Sequence, residues 1–153
     1  MTITTDRPTS TRLLITPELF DHLTARIKID HPAHADRAEQ IMEQALSFLT
    51  ACGARPGARL APSAIVDIGW HTFLMYTREY AEFCQRIAGR FIHHTPDTPG
   101  IPAPPESNAA TTATVMRELG LPVIPDLWAH STTCSGSGTG KCSQCHQGCT
   151  DSN

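Results

Sequence analysis

A mainly α-helical domain followed by an irregular, cysteine-rich carboxyl-terminal tail is the fold class this sequence predicts, on three observations. Apolar residues recur at three- and four-residue spacing in separate stretches between residues 17 and 119, and no stretch alternates as a half-buried strand would. Between Ser131 and Asn153 there is no Leu, Ile, Val, Met or aromatic residue in 23 positions. Such a segment cannot offset its ordering entropy by apolar burial, so cross-links must order it if it is ordered. The organisation expected is a flexible arm over 1–15, a helical domain over 16–130 and a tail over 131–153 that binds metal.

The elements follow in order. Thr16-Pro17-Glu18 reads as an N-cap, a first-turn proline and an early acidic residue, opening a helix over about 17–29 with Leu19, Phe20, Leu23 and Ile27 on one face. After the Asp30-His31-Pro32 break a second helical pattern includes Ile41, Met42, Ala45, Leu46, Phe48 and Leu49, and ends near Cys52-Gly53. The third pattern is the longest, about 63–89, with Ile65, Val66, Trp70, Phe73, Tyr76, Tyr80, Phe83, Cys84 and Ile87 on one broad side. Its first half is apolar on the other side too, through Ile68, Leu74 and Met75, which predicts one long central helix as the spine of the fold. Five prolines within residues 95–105 interrupt the helices. A further helix is expected over about 107–119, and an extended stretch with a short helical turn over 121–128.

Composition excludes several function classes. The chain has 153 residues, 40% of them hydrophobic, enough to build a core. A net charge of −3 offers no basic field for a phosphate backbone, so no nucleic-acid partner is expected. No apolar run approaches the roughly 18 residues of a spanning helix, and the opening residues lack the pattern of a secretion signal. No membrane partner is expected, and the expected location is the cytoplasm. In that reducing compartment the six cysteines point to metal or thiol chemistry ahead of stable disulfides.

Four of those cysteines lie in the tail. Cys134, Cys142, Cys145, His146 and Cys149 gather five soft or borderline ligands within sixteen residues, and the CxxC turn sets two thiolates close enough to chelate one tetrahedral ion. Cys142, Cys145 and Cys149 with either Cys134 or His146 would complete four ligands. Zinc is the cofactor expected, with an iron–sulfur cluster or another transition metal as the alternative. Redox or disulfide chemistry without metal, and an inert tail, are the competing readings. Cys142-Ser143-Gln144-Cys145-His146 also fits the haem-attachment pattern, but that attachment takes place outside the cytosol.

The second cluster lies on the long helix. Asp67 and His71 are four residues apart and share a face turned from the aromatic side. An aspartate there can accept the ring N–H, fix the tautomer and leave the other nitrogen for a metal or a proton. His93 and His94 follow the helix, where a reversing chain would bring them back towards His71. The plainer alternative is a buried hydrogen-bonded pair tying the helix to a neighbour. Cys52 and Cys84 are expected to be small core residues. His22, His31 and His34 have no partner spacing that singles them out.

Val66-Asp67-Ile68-Gly69-Trp70-His71-Thr72-Phe73-Leu74, with Tyr80, Cys84 and Phe91-Ile92-His93-His94, resembles the core of the glycine-rich-domain-protein-like family over roughly residues 15–97. Asp67, His71, Cys84 and His94 match that family's pattern, and the resemblance implies a functional centre around His71 and His94 without supplying its chemistry. Phe73 stands where that family usually has a second histidine.

Three functions compete on these residues. The first is a metal-binding, most simply zinc-binding, accessory or interaction module. The second is a small metalloenzyme with a centre at His71 and His94, in which His71 and Asp67 are catalytic, acting on a peptide or small metabolite. The third is a thiol redox or metal-transfer protein. The partner expected is accordingly a protein, a peptide or a small metabolite. No phosphate-binding loop, Gly-x-Ser-x-Gly elbow or His-Glu-x-x-His helix is present.

Overall fold

The structure, a computed structural model, describes residues 10–95, 100 and 108–129. It is mainly helical, with no strand among the described residues. The helices are α1 (Pro17–Asp30), α2 (Ala38–Ala54), α3 (Ala64–Met75), α4 (Thr77–Ala88), α5 (Ala109–Glu118) and the one-turn α6 (Pro125–Trp128). Two 3₁₀ turns, Thr11–Leu14 and Pro32–Arg37, precede α1 and α2.

Local chemistry sets the helix starts. The side chains of Thr16, Ser63 and Asn108 accept hydrogen bonds from the backbone N–H groups of Leu19, Val66 and Thr111, satisfying one orphan donor at the head of α1, α3 and α5. At the other end of α4, Gly89 takes the left-handed conformation (φ 67°) that a Cβ would penalise. Residues 11–15, expected within the loose arm, are docked instead. Thr11 is buried, donates to the Glu43 carbonyl at 2.9 Å and shares a hydrogen bond with Ser47 at 3.0 Å.

Two expectations about the third helical segment are corrected. First, it is not one helix over 63–89 but two, broken at Tyr76 (φ −91°, ψ 67°). In a straight α-helix Trp70 and Tyr80 would lie about 15 Å apart along the axis, yet the Trp70 indole N–H donates to the Tyr80 hydroxyl at 2.9 Å. The break folds α4 back so that this bond, and the edge contact of Tyr80 with Phe73 at 5.2 Å, can form. Apolar periodicity runs on through a one-residue break with little change of phase, which is why the pattern reads as continuous.

Second, the spine is α2. It packs against α1, α3, α4, α5 and both 3₁₀ turns, and ten of its seventeen residues are buried. The α2–α3 approach is close at Gly69: a Cβ there would meet the Ala45 Cβ at 2.8 Å and the Ile41 carbonyl oxygen at 3.0 Å. The second apolar side of α3 borders the core, with Ile68 and Leu74 packed half-buried against it. Leu74 is half-buried and Met75 is 56% exposed, because they wall a surface cleft beside Asp67 and His71.

Candidate functional site

Asp67 is the charged residue buried in α3, on the first turn past its cap and 8% exposed. A lone carboxylate at that depth is costly unless its oxygens are bonded. Both are. His71, one turn along α3, places Nδ1 at 3.0 Å from Asp67 Oδ2 and equally close to the Asp67 carbonyl oxygen. From the extended segment after α4, His94 places Nε2 at 3.0 Å from Oδ1. The carboxylate thus lies between two imidazoles contributed by separate chain segments, whose ring centroids are 4.4 Å apart.

The electrostatics follow from that bracket. Burial by itself raises the Asp67 carboxyl pKa, but the hydrogen bonds from His71 and His94 and their charges when protonated prevail, holding it below the ordinary carboxylate range. A ring N–H aimed at the carboxylate fixes each neutral imidazole's tautomer, leaving the lone pair on its other nitrogen. For His94 that atom is Nδ1, which is buried without a hydrogen-bond partner among the described residues. Only 9% of this side chain is exposed.

His94 is held in place by a relay that begins in the core. Phe48 of α2 meets the Trp70 ring edge-on at 5.0 Å, and Trp70 packs on the His94 ring at 4.1 Å. The hydroxyl that accepts from Trp70, that of Tyr80, in turn donates to the Ile92 carbonyl at 2.6 Å, fixing the backbone two residues before His94. The break at Tyr76 brings these groups together, so the bend and the site have one origin.

Asp67, His71 and His94 each bring one ligand atom within 4.8 Å of the other two. The 3.0 Å nitrogen–oxygen separations are hydrogen bonds, and an ion held by these residues would take the place of the ring protons on the nitrogens facing the carboxylate. Two histidines and a carboxylate form a donor set for zinc and for other divalent transition metals. The centre adjoins an open cleft of about 320 Å³ walled by Leu74 and Met75 on one side and by Asp30 and His31, from the end of α1, on the other.

The model of one protein family matches residues 10–111. The chain belongs to the UCP032817-like family. This is an uncharacterised family, and the match carries no glycine-rich-domain designation. No curated protein and no solved structure matches the chain. The span shared with the UCP032817-like family runs from the first 3₁₀ turn into α5, and so includes Asp67, His71 and His94.

The remaining candidates divide clearly. Cys84 is fully buried in the core, as expected, and Cys52 packs against it with its thiol pushed by burial up to about 12. Phe73 is buried between Tyr80 and Phe83, so a second histidine two places after His71 has no counterpart here and His94 supplies the second ring. His93 is exposed beside Phe91. Cys134, Cys142, Cys145, His146 and Cys149 lie outside the described residues. Sequence reasoning missed His31 and Met75 as cleft walls; the apolar pair Leu74-Met75 on the same side of α3 as His71 was the available signal.

Proposed function

We propose that this protein binds one divalent transition-metal ion, zinc first among them, through Asp67, His71 and His94. The observation that supports this reading best is the buried carboxylate bracketed at 3.0 Å by two imidazoles, which brings one ligand atom from each of three residues within 4.8 Å of the others. The same residues underlie the resemblance to the glycine-rich-domain-protein-like family. In this reading the helical domain holds the centre, and the ion's uptake displaces ring protons from the nitrogens that ligate it.

The adjoining cleft favours a second reading, a small metalloenzyme acting on a small metabolite. When bound, the ion would supply a Lewis acid and an acidic water. Asp67 and His71 would hold and orient it, and His94, shielded by Trp70, would close the buried side.

Metal analysis and zinc titration of the full chain test the proposal. His71→Ala, His94→Ala and Asp67→Asn should each weaken one site by more than the roughly 10- to 100-fold that loss of an outer partner costs. The double variant Cys142→Ser with Cys145→Ser should leave that site intact. Zinc lost with the cysteines and kept with His94→Ala would move the centre to the tail and end the proposal.

A further inference from the structure

We infer that the cleft beside the Asp67–His71–His94 centre is a binding site for a small monocarboxylate with a short aliphatic chain. This rests on the metal reading above and adds the ligand class. A divalent ion held by one carboxylate and two neutral imidazoles keeps a net positive charge, and three protein ligands leave positions open. His71 and His94 line the cleft, and 29% of the His71 side chain is exposed, so an anion in the cleft would be within reach of an ion held there. Oxygen anions are the ligands such a position attracts.

The walls argue for the rest of the molecule. On α3, Leu74 and Met75 give an apolar surface, and Met75 is 56% exposed, a large apolar side chain at the rim that a bound aliphatic chain would cover. Its flexible thioether adapts to different chains. Across the cleft, Asp30 would repel an anion if its charge were unopposed, but Arg26 Nε sits 2.7 Å from its carboxylate. The neighbouring His31 ring offers a donor to the second carboxylate oxygen. At about 320 Å³ the cleft is at the small end of ligand sites, which suits a small occupant.

The test uses the full chain with Cys134, Cys142, Cys145 and Cys149 replaced by serine, loaded with Co²⁺. Acetate, butyrate and hexanoate are titrated while the cobalt absorption bands are followed. All three should perturb the bands, with affinity rising about two- to fourfold per added methylene. Met75→Ser should flatten that chain-length dependence without changing cobalt affinity. If cobalt binds but the carboxylates leave its spectrum unchanged, or bind with no dependence on chain length, the inference fails and the metal reading stands. If cobalt does not bind at the histidines, both fall.

Discussion

Two buried polar clusters, joined through the Phe48 ring, make opposite uses of their hydrogen bonds. Around Gln44 on α2 the amide is closed by its neighbours: Nε2 donates to the Pro122 carbonyl at 3.1 Å, and Oε1 accepts from Ile124 N at 3.0 Å and Trp128 Nε1 at 2.7 Å. It staples the 121–128 segment to the spine. Around Asp67 the carboxylate is equally well bonded, yet the ring that completes the bracket, His94, keeps Nδ1 buried without a partner among the described residues. Phe48 touches both clusters, meeting Trp128 at 6.4 Å and Trp70 at 5.0 Å. The difference teaches that burial and hydrogen bonding alone do not mark a site. A polar cluster that uses up its atoms holds the fold; one that keeps ligand atoms together beside a cleft can also bind.

The contrast breaks first under substitution. Gln44→Leu leaves Trp128 Nε1, Ile124 N and Pro122 O without their partner, and should cost about 3 kcal/mol or more in urea unfolding. Asp67→Asn, which keeps the shape, should cost the metal-free protein only about 1 kcal/mol while abolishing tight zinc binding. Equal destabilisation by the two would erase the distinction. Gly69→Ala probes the support between the clusters. Its Cβ would press on Ala45 and the Ile41 carbonyl, forcing α3 from α2 at a cost of about 1–3 kcal/mol, read in the same unfolding experiment. An unchanged midpoint would show that the helices separate freely there.

The smallest effect is a pH dependence that belongs to one cluster only. The Asp67 carboxyl pKa is lower folded than unfolded, so its contribution is present above the unfolded value, about 3.9, and is lost as pH falls through the folded one. Gln44 does not titrate. Acid unfolding of the metal-free protein should therefore be less steep below about pH 4 in Asp67→Asn than in the parent, whereas an unaltered acid limb would mean that the histidines do not hold the carboxylate ionised.

Legibility in the sequence followed the range of the interaction. The starts of α1 and α3 are written in their caps, and Asp67 with His71 is an i, i+4 pair on one helix face, visible in a string of letters. His94 was readable as a candidate because it follows the helix, but its partner atom depended on a turn through space. The break at Tyr76 left no local mark, neither proline nor glycine, and the bonds that accompany it, from Trp70 to Tyr80 and onward to Ile92, join residues 10 and 12 positions apart. Apolar residues on both sides of α3 suggested a central helix, whereas Leu74 and Met75 serve a cleft. The role of α2 as the spine emerges only when its neighbours are placed around it.

The most direct measurement is X-ray absorption of the zinc-loaded chain in which the four tail cysteines are serine. A single ion with nitrogen and oxygen neighbours at about 2.0–2.1 Å, lost in His94→Ala while the helices persist by circular dichroism, is the expected result. Failure of that protein to retain zinc, or the same spectrum with and without His94, would show that Asp67, His71 and His94 form a hydrogen-bonded cluster and not a metal centre.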